Sequence, residues 1–348
     1  MAGAEPWVIA VDVGGTKIAT GAVDREGRVL ARTVVPTMAA AGPEAIRSRI
    51  AESIATVIEE MHAAHTGGRT SAGTREWREN PEAIGMAIPG PMDTERGVAL
   101  AASNLGWYEF PVGPVLASRF GCPVFLENDA NAAALGEWLF GAGRGVNNLL
   151  YVTISTGIGS GLVVGGRLHR GRHFNAGEVG HMVLLADGPF CTCGQRGCWE
   201  ALASGTAIAR DARQLALAYP ESELFRLCGG DVSKIDVPLV GQAARSGDPG
   251  AREILDQAVK YLGIGFSNLI NILDPDLVVV GGGVSNLDDL LFPRLTEHVR
   301  RYTQRRVKEP VAIVRAQLRQ DSGLLGAAAV AWQELAQGVT REVAAAEA

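Results

Sequence analysis

Short apolar runs separated by glycine-rich turns set the rhythm of the first part of the chain. Trp7 to Asp12 (WVIAVD) is one such run, closed by an acid and followed by a Gly-Gly-Thr-Lys turn. Ile18 to Val23 resumes the apolar pattern, residues 24–27 (DREG) turn the chain, and Arg28 to Val35 makes a third run. Three strands joined by two tight turns predict an antiparallel meander. Pro43 then opens a helix where its missing N–H costs nothing. Ile46, Ile50, Ile54, Ile58 and Met61 recur on one face of that helix, which makes it amphipathic. Residues 66–81 are polar and glycine-rich and read as a mobile surface loop.

Ala83 to Ile88 reads as a buried strand that runs into the rigid Pro89-Gly90-Pro91 turn. Asn104 to Trp107 belongs to a loop, Pro111 to Phe120 to a helix, and Pro123 to Leu126 to another buried strand, with a helix opening at Asn128-Asp129. Leu149 to Ile154 is apolar again, meets the turn Ser155-Thr156-Gly157-Ile158-Gly159 and returns as a hairpin strand through Val164. The order of elements here echoes the N-terminus, which predicts a duplicated α/β half starting near residue 128. Two such halves facing each other would place both Gly/Thr turns around one cleft.

The remainder is mostly helical. Ala201 to Tyr219 and Asp248 to Leu273 carry helical periodicity. Asp276 to Val280 is a strand flowing into Gly281-Gly282-Gly283, with a helix from about Asn286, a strand at Val311 to Val314 and a closing helix from Leu324 to Leu335. Residues after Gly338 are expected to fray. The organisation implied is a small α/β domain, 1–127 plus about 320–348 with its returning C-terminal helix, and a larger α/β domain, 128–319.

The composition narrows the function. With 348 residues, 47% apolar and 20% charged, the chain has the balance of a soluble globular protein with room for two cores. A net charge of −6 argues against a general nucleic-acid binder. An acidic protein still binds an anionic nucleotide when a divalent cation and backbone N–H groups meet the phosphates. Met1 opens no charged-then-apolar leader, and no apolar run approaches the roughly 20 residues a membrane span needs.

One stretch, His181 to Glu200, concentrates the chemistry. Cys191, Cys193 and Cys198 form a C-x-C-x4-C run, and His181 stands ten residues ahead of it. Three thiolates and one imidazole complete a tetrahedral shell for structural zinc. Gly194 and Gly197 let the loop curl around one point. Buried free cysteines would pack as small hydrophobes, but C-x-C alternation with two glycines is poor packing sequence. Disulfides would need an oxidising compartment. The leftover Cys122 and Cys228 are isolated, which fits a reducing cytoplasm.

Two glycines in Asp12-Val13-Gly14-Gly15-Thr16-Lys17 permit an anion-binding nest, to which Thr16 and Lys17 can add side-chain donors. A plain hairpin turn explains the glycines but not Asp12 and Thr16. Ser155 to Gly159 is a second such turn and Gly281 to Gly283 a third glycine-rich loop. Three of them, each ending an apolar strand, point to a nucleotide cleft. Residues 127–131 (ENDAN) sit between a strand and an Ala-rich helix. Asn and Asp there serve as N-caps or present a carboxylate to a phosphoryl acceptor, about 3 Å from its hydroxyl; the residues leave both readings open. Glu178 and Glu200 bracket the cysteine run, either as a solvated acid and a helix-starting acid or as polyol-binding carboxylates.

These motifs together, DVGGTK, the PGP turn, ENDAN, STGIGSG, GEVGH, CTCGQRGCWE and GGGVS in that order, resemble those of a sugar kinase of the ROK family (repressor, open reading frame, kinase), within the hexokinase/actin-like ATPase superfold (ribonuclease H-like). The resemblance spans almost the whole chain, and GEVGH with the cysteine run is its most specific part. It implies Asp129 as the general base toward the acceptor hydroxyl. Asn104, Asn128, Glu178, His181 and Glu200 then bind sugar hydroxyls, with Gly90 close by. His181, Cys191, Cys193 and Cys198 hold zinc. Thr16, Thr156 and Gly157 cradle the ATP phosphates, Asp12 helps hold magnesium, and Gly281, Gly282 and Gly283 lie under the adenosine.

The activity implied is an ATP-dependent hexose kinase making a 6-phosphate, with glucose the leading acceptor and N-acetylmannosamine or fructose the alternatives. Members of the family also imply a homodimer or homotetramer. A sugar-responsive repressor of the same family would carry a helix-turn-helix ahead of the first strand, where this sequence offers only a handful of residues. An actin-like structural ATPase would not need the cysteine run.

Overall fold

The computed structural model describes residues 4–66, 77–304 and 310–338. The chain divides into two compact units. Unit 1 comprises Met1–Gly145, Leu168–Ala176 and Gln317–Ala348, and unit 2 comprises Val146–Arg167 and Gly177–Ala316.

Unit 1 begins with the meander: β1 (Trp7–Val13), β2 (Lys17–Asp24) and β3 (Val29–Pro36). β1 pairs antiparallel with β2, which pairs antiparallel with β3. Helix α1 (Pro43–Thr66) buries Ile46, Ile50, Ile54, Val57 and Met61, so its apolar stripe is the one the spacing predicts, with Ile58 half-buried at the margin. β4 (Ile84–Ile88) lies parallel to β1. Trp77, inside the stretch expected to be a loop, is 3% exposed and bridges to Glu5, so that end of the stretch belongs to the core. Residues 67–76 lie outside the described residues.

A small antiparallel sheet follows, β5 (Met92–Asp93), β6 (Val98–Ala102) and β7 (Trp107–Phe110). The expected Asn104–Trp107 loop is thus a single 3₁₀ turn, Ser103–Leu105, that delivers the fully buried Trp107 to β7, where its ring stacks on Phe110. Helix α2 (Val112–Phe120) leads to β8 (Val124–Asn128), parallel to β4, and α3 (Asp129–Leu139) leaves its end. The sheet order is β3-β2-β1-β4-β8.

Unit 2 repeats that arrangement. β9 (Leu149–Ile154) and β10 (Ile158–Val164) form a hairpin, and β11 (Arg167–Leu168) flanks β10. The expected helix Ala201–Tyr219 is broken in two. α4 (Trp199–Ala203) stops at Ser204, which turns extended and caps α5 (Gly205–Ala218) by accepting from Ala207 N. Two short helices that the sequence analysis did not name follow, α6 (Glu223–Leu227) and α7 (Val237–Arg245), and then the long α8 (Pro249–Leu273). β12 (Leu277–Gly281) lies parallel to β9, the triple glycine enters a 3₁₀ turn (Gly283–Asn286), and α9 (Asp288–Tyr302) and β13 (Ala312–Arg315) complete the unit. Its sheet order, β11-β10-β9-β12-β13, matches that of unit 1, with an antiparallel β9–β10 pair and parallel β9–β12 and β12–β13 pairs where unit 1 has β1–β2, β1–β4 and β4–β8.

The chain ends in α10 (Ser322–Ala336), which packs on α3, β1 and β4. That packing explains where the first unit ends. A division at residue 128 was expected, but α3 stays with unit 1 because Gly136 and Gly326 bring α3 and α10 into backbone contact. The fully buried Glu137 on α3 adds a tie, accepting from Ala142 N at 2.9 Å, Gln317 N at 3.1 Å and Leu318 N at 2.8 Å. No helix among the described residues is long and apolar enough to cross a membrane.

Candidate functional site

In unit 1 the turn between β1 and β2 closes with Gly14 N donating to Lys17 O at 2.9 Å, and Thr37 Oγ1 donates to Gly14 O. Gly14 N is therefore spent within the turn, while Gly15, Thr16 and Lys17 are exposed. Asp12 lies behind this turn. A Cβ on Gly323 would fall 2.3 Å from Asp12 Oδ2, so only glycine lets the first turn of α10 approach the carboxylate. Burial pushes the Asp12 carboxyl above its ordinary range, and Lys17 and Arg32 draw it back down. A half-buried carboxylate at a glycine-rich turn is a fitting donor for a hard divalent cation such as magnesium.

ENDAN meets its capping reading, and its second acid is left exposed. Asn128 is the N-cap of α3, its Oδ1 accepting from Ala130 N at 2.9 Å and Asn131 N at 3.3 Å. Its Nδ2 donates to Gly90 O at 3.2 Å. Asp129 opens the helix with an exposed carboxylate whose Oδ1 accepts from Ala130 N at 2.8 Å. Asn104 is exposed on the 3₁₀ turn, its Cβ 3.8 Å from the place a side chain on Gly15 would occupy. Unit 1 thus gathers Gly90 with Asn128 and Asp129, and Asn104 with the β1–β2 turn.

In unit 2 the ligand atoms of His181, Cys191, Cys193 and Cys198 all lie within 4.8 Å of one another. Cys193 Sγ to Cys198 Sγ is 3.7 Å and Cys191 Sγ to His181 Nδ1 is 3.6 Å. Zinc bonded at about 2.3 Å to sulfur and about 2.0 Å to nitrogen gives tetrahedral edges of roughly 3.5–3.8 Å. The four residues therefore fit a tetrahedral metal ion. The loop is shaped by its own backbone, with Cys191 N donating to Gln195 O and Gly194 N to Cys191 O. Burial pushes the Cys198 thiol up to about 12, and a backbone hydrogen bond at Gln195 lowers that of Cys193. Filling the shell therefore releases protons. With Nδ1 facing the thiols, His181 turns Nε2 toward Glu178 Oε2, 3.9 Å away.

Glu200 ties this cluster to the second Gly/Thr turn. Its Oε2 accepts from Ile158 N at 2.9 Å, and its Oε1 lies 3.8 Å from Cys191 Sγ. A side chain on Gly157 would strike that carboxylate, with a Cβ only 2.3 Å from Oε2. Beside the turn opens a cavity of about 360 Å³, lined among others by Thr156, Thr206, Arg213, Asp236, Gly283 and Asn286. The N-terminus of α5 meets it, with Gly205 N donating to Ser155 O and Thr206 N to Thr156 O. Gly283 lines the cavity, whereas Gly281 and Gly282 sit behind it against Tyr151 and Ile154. A larger cavity of about 840 Å³ near Phe190, Arg210 and Tyr261 holds none of the motif residues.

The sequence reading passed over Thr206, Arg213, Asp236 and Asn286, for which no local motif speaks. It also assigned no role to Glu127 and did not single out Arg170. An acid ending the apolar run VFLE was the available signal, because a buried carboxylate needs a partner.

A mixed α/β fold with two matching sheets, a His/Cys cluster able to hold a metal ion and Gly/Thr turns at strand ends defines the class. The pattern described as ROK family matches residues 8–334, and the chain belongs to that family. It is 37% identical over 326 residues to the glucokinase of Streptomyces coelicolor, covering 93% of this chain and 96% of that one. It is likewise 37% identical over 324 residues to the glucokinase of Thermotoga maritima, covering 93% and 96%. Among solved structures, a ROK family glucokinase from Streptomyces griseus in complex with glucose and AMPPNP superposes with a TM-score of 0.76 at 38% identity, covering 94% of this chain and 99% of that one.

Proposed function

We propose that this protein is an ATP-dependent hexose kinase that converts glucose to glucose 6-phosphate. The observation that carries the reading lies in unit 2, where Glu200 links the His/Cys cluster to the Thr156–Gly157 turn. One carboxylate thereby joins the loop suited to a polyol to the turn suited to phosphates. Near-full-length likeness to glucokinases, one of them bound to glucose and an ATP analogue, supports the same substrates here. The shared order of the two sheets supports a duplicated actin-like ATPase fold.

In this reading Asp129 accepts the proton of the attacking sugar hydroxyl, a contribution of about 10²–10⁴-fold. Glu178, His181 and Glu200 accept and donate hydrogen bonds to sugar hydroxyls, with Asn104, Asn128 and Gly90 completing the contacts. Thr16, Thr156 and Gly157 meet the phosphates, and Gly283 lies beside the nucleoside. Asp12 holds magnesium, which when bound neutralises phosphate charge. His181, Cys191, Cys193 and Cys198 hold zinc, which when bound is structural, because protein fills all four positions. Phosphoryl transfer then rests on positioning and charge neutralisation rather than on covalent chemistry. A reducing cytoplasm suits the cysteines, and a homodimer or homotetramer is the proposed assembly.

The test is to incubate the purified protein with ATP and, in turn, glucose, mannose, fructose and N-acetylmannosamine, following sugar phosphate by ³¹P NMR. Glucose should be turned over with the highest kcat/KM. Phosphorylation of none of the four would refute the kinase reading, and a preference for N-acetylmannosamine would refute the choice of acceptor.

A further inference from the structure

Glu127 ends the apolar strand β8 with only 2% of its surface exposed. Its partner is distant in sequence: Arg170 Nε donates to Glu127 Oε2 at 2.5 Å, and Arg170 Nη2 donates to Glu334 Oε1 on α10 at 2.7 Å. Glu334 is itself 7% exposed. Arg170 stands in the nine-residue excursion Leu168–Ala176 that the chain contributes to unit 1 between two stretches of unit 2. Ala176 N donates to Arg170 O at 3.1 Å and closes that excursion into a compact loop.

The second oxygen of Glu127 faces the catalytic turn. Oε1 accepts from Asn128 N at 3.0 Å and from Asn131 Nδ2 at 3.0 Å. Asn128 in turn caps α3 and reaches Gly90 O. Asp129 therefore sits between two residues, Asn128 and Asn131, that are both hydrogen-bonded to the same buried carboxylate.

We propose that Arg170 is a positioning residue for phosphoryl transfer: by bridging Glu127 to Glu334 it fixes the rotation of Glu127, and through it the first turn of α3 that presents Asp129. The inference rests on the reading of Asp129 as the base. Burial works against the Arg170 charge, and Glu127 and Glu334 outweigh it, holding the guanidinium above its ordinary range. A buried ion triad adds little net stability over apolar packing of the same shape. What the planar guanidinium supplies is direction, because its donors bind carboxylates in a fixed geometry. Lysine keeps the charge and loses the fork.

The test uses the full chain with Arg170→Met, Arg170→Lys and Glu334→Gln, and Asp129→Asn beside them. For Arg170→Met, kcat for glucose should fall about 10–100-fold, since an ångström of misplacement costs roughly that much. KM for glucose and ATP should stay within about threefold. Arg170→Lys and Glu334→Gln should fall in between, and hydrogen exchange of the Ala130 and Asn131 amides should quicken in all three. A lowered melting temperature with kcat and exchange both unchanged would reduce the triad to a structural role and overturn the proposal. Should Arg170→Met fail to fold, the two milder variants decide the matter by the same readouts. Full activity in Asp129→Asn would instead sink the base, and unchanged exchange at Ala130 and Asn131 would then sink the positioning role independently.

Discussion

The carboxylate of Glu200 accepts a hydrogen bond from Ile158 N at 2.9 Å while its other oxygen lies 3.8 Å from Cys191 Sγ. One side chain thus registers the cysteine loop against the β9–β10 turn. The two parts of unit 2 are not independent: disordering the loop releases Glu200, and releasing Glu200 frees the backbone of the turn. Removing a buried or half-buried acceptor leaves its donor unsatisfied, which costs more than the bond itself contributed.

Loss of the metal proposed for the His181, Cys191, Cys193 and Cys198 cluster should therefore be felt at the substrate. In Cys193→Ala, metal content measured by inductively coupled plasma mass spectrometry should fall from one ion per chain toward none. Glucose affinity measured by titration calorimetry should weaken at least about tenfold, the scale on which supporting contacts of metal sites act. Unchanged glucose affinity in a metal-free protein would separate His181 and Glu200 from the cluster.

Replacing the proposed base separates chemistry from binding. Asp129→Asn keeps the shape of the side chain and the hydrogen bond to Ala130 N, so α3 and its Asn128 cap should survive. kcat should drop by about 10²–10⁴-fold, with glucose affinity within about threefold and metal content unchanged. Residual turnover within tenfold of the unmodified protein would remove Asp129 from the reaction.

What the sequence disclosed was local. The α1 stripe, the Asn128 cap and the C-x-C-x4-C run are spacings within one turn or one loop, and the structure places each as the spacing predicts. What it hid was distant or brief. Arg170 and Glu127 are 43 residues apart, and no pattern in either neighbourhood announces the other. The strands β5 to β7 are two to five residues long, too short for alternation to register. The break at Ser204 was masked because the sequence on both sides is helical and Ser204 serves as a cap rather than a breaker.

Asp12 gives a prediction about pH. Burial holds its carboxyl above the ordinary value of 3.8 in the folded chain. The folded state then binds a proton that the unfolded state has lost, so stability falls as pH rises from the unfolded value through the folded one. Above that window the charged, half-buried carboxylate is a standing cost. Asp12→Asn removes it. Without added magnesium, the variant should equal the parent in urea midpoint below about pH 3.8, gain on it as pH rises through the raised folded value, and keep a level advantage from there to neutral pH. Equal midpoints at neutral pH would mean that Lys17, Arg32 and the first turn of α10 fully offset the burial.

Glu137 makes the strongest stability prediction. Its fully buried carboxylate accepts from three backbone N–H groups, one in the segment after α3 and two in the segment that leads back into unit 1 before α10. Glu137→Ala leaves three backbone N–H groups, on the half-buried Ala142 and Leu318 and the exposed Gln317, without their acceptor and opens a cavity beside Gly141. Each stranded donor costs about 1–3 kcal/mol, and partial rescue by water brings the expected loss to about 3–5 kcal/mol. Glu137→Gln keeps one carbonyl oxygen but puts an amide N–H₂ against donors, so it should lose roughly half as much. Urea denaturation read by tryptophan fluorescence, where Trp332 on α10 donates to Asp24 O from within the same unit, measures both. A loss below about 1 kcal/mol for Glu137→Ala would show that the α3–α10 packing holds those segments without the carboxylate.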